Sequence, residues 1–300
     1  MIGLNIDKYF YADTLGISCV EKSLLGYLRY LKFPYQCLFY ESYIDANAVL
    51  NDFINNKASY ITYSGIRRLQ DVANDIQLAK TTYLEKAFDE MLDIAHDELG
   101  KEIPLLLRVK TDKLPNAKFI PWADEHFILL YKMDGVFFLL NQYPLCEYKM
   151  SREELFNVYD GAILTISVKR GFDKEQYKTV IKCGITKINA SNGSHFDYEI
   201  NNNIESLKNA IGILKMSRTQ VMGWAKWINA YYKYTYFPQE SISLLSLIVD
   251  NMTKLYTAIE YYKFRKDNLQ YIIDLLKIIM QEENSFKKQN INCEENKNEY

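Results

Sequence analysis

The chain reads as an α+β protein on three observations. Short β-rich segments cluster mid-chain: Ile103 to Val109, His126 to Met133, Val136 to Leu140 and Ala162 to Val168. On both sides of that cluster apolar residues recur every three or four positions, the period of a helix. The 300 residues are 48% hydrophobic and 25% charged, which is enough apolar material for a large core and excludes wholesale disorder.

The first helix is predicted from Cys19 to Phe33. Val20, Leu24, Leu25, Leu28 and Leu31 lie on one face, Ser18 is its N-cap and Pro34 stops it. Gln36 to Tyr43 reads as a short strand, Asp45 to Asn55 as a helix carrying Val49, Leu50, Phe53 and Ile54, and Ser59 to Tyr63 as another strand. Lys80 to Leu99 is predicted as one long helix, with Leu84, Phe88, Met91, Leu92 and Ile94 buried and Gly100 ending it. In the β-rich middle, Asp134-Gly135 is a tight-turn signal between two strands, because glycine tolerates the positive φ such a turn requires. Ser151 to Glu154 has the pattern of a capping box opening a helix. Asp173 to His195 is ambiguous between short strands and loop. Helices follow over Ile204 to Met216, Thr219 to Tyr232, Gln239 to Lys263 and Lys266 to Gln281. This gives an α+β domain over 1–170, a helical domain or subdomain over 171–281, and a Glu-, Asn- and Lys-rich tail over 282–300 expected to be disordered.

Charge and motifs narrow the function classes. Thirty-six Lys and Arg against 38 Asp and Glu leave a formal charge of −2, which argues against a broad nucleic-acid surface. The dinucleotide, P-loop and zincin motifs are absent, and the metal-ligating residue types do not cluster. The five cysteines, Cys19, Cys37, Cys146, Cys183 and Cys293, are scattered and odd in number, so no disulfide framework is expected. With no apolar leader and no apolar run of membrane-spanning length, the expectation is a soluble cytoplasmic protein without bound cofactor or metal. The run from Tyr231 to Phe237 reads as a helix-packing ridge or as the wall of an aromatic substrate channel.

Cys19 opens a helix, where unpaired N–H groups and the positive helix end favour a thiolate. Of the three histidines, His96 falls in a polar stretch and His195 in a loop context, whereas His126 begins a strand that can hold an imidazole rigidly. Across the Asp134-Gly135 hairpin, Asn141 returns to the level of His126 and can orient the ring, or it can simply be a strand-end turn residue. Asp124 is the other candidate orienter. Cys19 itself can equally be a packing residue, as buried cysteines commonly are.

The order of Cys at a helix start, His on a strand and Asn on the following strand resembles the papain-like cysteine peptidase fold. His126-Phe127-Ile128-Leu129-Leu130-Tyr131 followed by Asp134-Gly135 is similar to the strand-turn-strand of bacteriocin-processing peptidases and of butirosin-pathway acyltransferases. Length, helical second half and aromatic richness most resemble cysteine-protease-like amide synthetases of the closthioamide type. The family's second strand ends in Asp-Pro or Asn-Asp-Pro, whereas this chain reads Asn141-Gln142-Tyr143-Pro144. Asp13 stands where such enzymes keep an oxyanion-hole glutamine. The resemblance implies a catalytic set of Cys19, His126 and Asn141 and an acyl group delivered as a carrier-protein phosphopantetheine thioester. It also implies a small amine acceptor such as diaminopropane and a role in non-ribosomal antibiotic assembly. Arg67-Arg68 is the candidate basic patch for that partner. Two alternatives stay open: a peptidase of the same fold, and a non-catalytic binding protein that has kept it.

Overall fold

The computed structural model describes residues 2–4, 18–60, 63–115, 117, 126–142, 145–169, 174–191, 203–232 and 236–295. In chain order the first elements are β1 (Ile2–Gly3), α1 (Cys19–Tyr30), a 3-10 helix (Tyr35–Glu41), α2 (Ala46–Ile54), α3 (Leu69–Asp75), β2 (Ala79–Glu85) and α4 (Phe88–Gly100). Next come β3 (Leu105–Val109), a 3-10 turn (Thr111–Lys113), β4 (His126–Met133), β5 (Phe137–Gln142), β6 (Leu145–Met150), α5 (Arg152–Val158) and β7 (Tyr159–Val168). Four long helices close the chain: α6 (Lys174–Asn189), α7 (Ile204–Tyr232), α8 (Gln239–Arg265) and α9 (Leu269–Glu295). None of the described helices is long and apolar enough to cross a membrane.

The chain divides into two compact units, Met1–Tyr35 with Arg68–Phe172, and Gln36–Arg67 with Asp173–Tyr300. The first is built on an antiparallel sheet in the order β2-β7-β3-β4-β5-β6, with β1 beside β4, so the protein is α+β. Strand alternation gives the sheet two faces. One carries Leu105, Leu107, Ile128, Leu130, Leu139, Tyr148 and Ile163, which form a core with Phe88, Met91, Ala95 and Leu99 of α4. The α1 helix packs against β4 and β5, and none of its residues joins that core. It therefore covers the opposite face, where alternation places Phe127, Leu129, Leu140 and Gln142. The β4–β5 turn closes as expected: Asp134 N–H donates to the Val136 carbonyl at 2.9 Å, and Gly135 holds φ +67°.

In the second unit α7 packs against α2 and α8, and α8 against α9. Gly184 on α6 is required there, because a Cβ would collide with the Trp224 ring. Arg218, fully buried, donates from Nε to Glu283 Oε1 (2.6 Å) and from Nη2 to Glu283 Oε2 (3.0 Å) and the Ile44 carbonyl (2.9 Å). Its Nη1 donates to Ser217 Oγ (2.8 Å), and its guanidinium lies 4.0 Å from the centroid of the Tyr43 ring.

Several elements differ from the sequence reading. Lys80 to Leu99 is not one helix: Thr81, Thr82 and Tyr83 pair with Ile166, Thr165 and Leu164 of β7, and the helix begins only at Phe88. Cross-strand pairing decided that stretch over helical spacing. Gln36 to Tyr43 is mostly a 3-10 helix, and Ser59, Tyr60 and Tyr63 are not in a strand, with 61–62 outside the described residues. Lys174 to Asn189 is helical, burying Tyr177, Val180, Ile181 and Ile188 at the helix period. The two helices expected over 204–232 are one. The last helix runs past Gln281 to Glu295, because Phe286 is buried and Glu283 meets Arg218, so an apparently polar tail has a buried side. Strand β6 was not expected.

Candidate active site

Cys19 owes its position to a local signal. Ser18 Oγ accepts the Glu21 N–H (3.2 Å) and Glu21 Oε2 accepts the Ser18 N–H (3.0 Å), so a complete capping box makes Cys19 the first residue of α1. Glu21 Oε1 also accepts the Leu69 N–H at 3.0 Å, which ties the first turn of α1 to the start of α3. The backbone N–H groups of Phe127, Val20 and Cys19 lie close enough to the Cys19 thiol to favour its thiolate form. The sulfur thus lies against the residue that follows His126.

His126 and Asn141 are brought together by strand register. Val109 pairs with His126 across β3–β4, while Leu130 and Leu129 pair with Leu139 and Leu140 across β4–β5. One further step sets Asn141 opposite Ile128, diagonal to His126 on the same face. Asn141 Oδ1 lies 2.8 Å from His126 Nε2, both residues being almost fully buried. An amide oxygen can only accept, so the proton sits on Nε2 and Nδ1 is left as the ring's proton acceptor. Asn141 is thus the side chain that contacts the ring. Asp124, its rival, lies outside the described residues, as do Asp13, His195, Pro144 and 233–235.

The electrostatics correct one expectation. Cys19 does not rest as a low-pKa thiolate: burial pushes its thiol above the ordinary 9.0, outweighing the N–H groups of Phe127, Val20 and Cys19 and the charge of Lys22. Burial likewise holds His126 below its ordinary 6.5, with the Asn141 bond pulling the other way. The described residues show no Cys19–His126 hydrogen bond. Both shifts favour the neutral form, a thiol and an imidazole, which suits general-base activation better than a preformed ion pair.

The other candidates fall elsewhere. Cys37 is buried in the 3-10 helix, with its thiol pushed up by burial. Cys183 is exposed on α6, and His96 is exposed. Cys146 is on β6 opposite Asn141. Arg67 is engaged by Glu41 through both carboxylate oxygens at 3.1 Å, and Arg68 is the N-cap residue of α3. Tyr231 packs on Tyr177 and Trp227, and Phe237 on Trp224, as a helix-packing ridge does. Among the described residues no group of metal-ligating side chains comes together. Two features escaped the sequence reading. One is the Phe127 amide on the sulfur, and the other is Gln142, buried next to Asn141 with its Nε2 lacking an acceptor among the described residues. Neither has a local sequence signal.

No family model matches the chain, and no curated protein matches it.

Proposed function

We propose that the β-rich unit is a papain-like acyl-transfer site in which Cys19 is the nucleophile, His126 the base and Asn141 the residue that orients it. The observation that carries this reading is the 2.8 Å Asn141–His126 contact, with Cys19 at the first turn of a capped helix that packs against the same two strands. Attack on an acyl carbonyl forms the S–C bond as the thiol proton passes to His126 Nδ1. The leaving group departs with that proton, and a second nucleophile, deprotonated by the same ring, releases the product.

The reading extends to substrates by energetics. Amide formation in water without a nucleotide needs a donor that arrives activated. A carrier-protein phosphopantetheine thioester supplies one, and a small amine such as diaminopropane is the acceptor in an antibiotic-assembly setting. The protein is on this reading a cysteine-dependent amide synthetase that needs no cofactor of its own. The absent Cys19–His126 hydrogen bond and the raised thiol pKa favour the rival reading, a binding protein that keeps the fold. The test is to offer carrier-bound acyl thioester with diamine or with water alone and weigh the product. Amide supports the synthetase, free acid a hydrolase, and no consumption the binding protein.

A further inference from the structure

The α8 helix has two apolar-bearing faces, and only one of them is used within the chain. Ile242, Leu245, Ile248, Met252, Leu255 and Ile259 are buried, and the helix packs against α7 and α9. The solvent side carries a second stripe at the helical period. Glu240, Leu247, Lys254 and Tyr261 stand seven residues apart, and Ser243, Asp250, Thr257 and Phe264 each follow three residues later. Every member of both series is exposed. This is the spacing of a seam between two helices, and the described residues leave Tyr261 and Phe264 uncovered, Phe264 at 85% exposure.

The stripe is its own complement when reversed. Against an antiparallel second copy, with the two-fold axis level with Met252, each member of one series meets a member of the other. Asp250 then faces Lys254 of the second copy, and Leu247 faces its Thr257. Further out, Ser243 faces its Tyr261 and Glu240 faces its Phe264, with its Arg265 alongside. Symmetry repeats each pair, so both central layers are ion pairs. A parallel arrangement would set Asp250 on Asp250 and Lys254 on Lys254, and like charges brought together are costly. Size complements charge: Ser243, Leu244 and Leu247 line a hollow, and the reversed helix brings a Tyr261 ring to it. Lys254 Nζ donates to Asn251 Oδ1 at 3.1 Å, and an ammonium has two further N–H groups for a carboxylate.

We propose that the solvent face of α8 is a dimer interface, occupied by the α8 helix of a second copy of this chain running antiparallel. The surface lies wholly within the helical unit and does not depend on the chemistry assigned to Cys19.

The experiment follows self-association of the full chain by sedimentation velocity over a dilution series, for the wild-type protein, Asp250→Lys and Lys254→Asp, each alone and the two variants mixed. Both positions are exposed, and circular dichroism checks that each variant is folded. The wild-type chain is expected to dimerise. Each variant alone puts like charges in both central layers and is expected to dimerise on the order of a hundred-fold more weakly. Mixing the two variants restores opposite charges in both layers, so the mixture is expected to dimerise as the wild type does. Mixing cannot repair a fault in folding or helix stability. A wild-type chain that stays monomeric at millimolar concentration overturns the proposal, as does a dimer that either variant forms at full strength. Variants that stay monomeric when mixed overturn it too, because the antiparallel pairs are then not made.

Discussion

Arg218 in the helical unit and His126 in the β-rich unit are both almost wholly removed from solvent, yet their surroundings differ. Arg218 spends its donors on Glu283, Ser217 and the Ile44 carbonyl and lays its flat face on Tyr43. Tyr43 in turn donates to Glu283 Oε2 at 3.1 Å, and Ser217 to the Ser42 carbonyl at 2.5 Å. Among the described residues His126 has one bond, to Asn141, with a ring nitrogen still able to accept and a nearby Gln142 amide without an acceptor. A saturated buried network fixes geometry, because every displacement breaks a bond. An unsaturated one leaves polar groups that a bound molecule could meet.

The contrast can be broken most forcefully in the helical unit. Glu283→Ala strands the Arg218 charge and is expected to cost about 3–5 kcal/mol, read as a lower midpoint in chemical denaturation. The double change Arg218→Met with Glu283→Leu should recover most of that loss, since an apolar pair of similar size needs no partners. A Glu283→Ala protein with the wild-type midpoint would mean that the network contributes nothing.

In the β-rich unit the same kind of change should act on chemistry. His126→Ala is expected to slow Cys19 acylation by about 10²–10⁴-fold while the denaturation midpoint moves far less than for Glu283→Ala. Asn141→Ala should slow acylation less, because the base remains and only its orientation suffers. Equal and small effects of both changes on acylation would argue against the pair.

The pH response sharpens the comparison. At neutral pH iodoacetamide should label exposed Cys183 faster than Cys19, whose labelling should climb as pH rises beyond 9.0. Preferential labelling of Cys19 at neutrality would instead reveal an ion pair. For stability, the folded value of His126 lies below 6.5, so its contribution is present above 6.5 and lost as pH falls through the lowered value. The folded value of Cys19 lies above 9.0, so its contribution is present below 9.0 and lost as pH rises through the raised value. His126→Ala should flatten the acid side of a plot of midpoint against pH and leave the alkaline side unchanged.

Much of the candidate site's local geometry was legible because its signals are local. Ser18 and Glu21 stand within one turn of the cysteine they position, and Asp134-Gly135 forces the two strands that carry His126 and Asn141 to pair. What was not legible depends on distant partners. Ala79–Glu85 becomes a strand only because β7 lies beside it, and the last helix outlasts its apparent end because Arg218 receives Glu283. Resting protonation was misjudged for the same reason: the helix-end effect is visible in sequence, while the burial that outweighs it is not. The smallest expected effect tests the local part. Ser18→Ala should cost about 1 kcal/mol in denaturation and, by loosening the first turn of α1, slow acylation as well. Lost stability with acylation unchanged would separate the cap from the site.

The central claim is that Cys19 becomes acylated, and the most direct measurement is intact-mass spectrometry after incubation with an activated acyl thioester, followed by peptide mapping. The account predicts one acyl group on the peptide bearing Cys19, retained in Cys37→Ala, Cys146→Ala and Cys183→Ala and absent in Cys19→Ala. An acyl group that still accumulates on Cys19→Ala, or that maps to another residue in the wild-type protein, would contradict it.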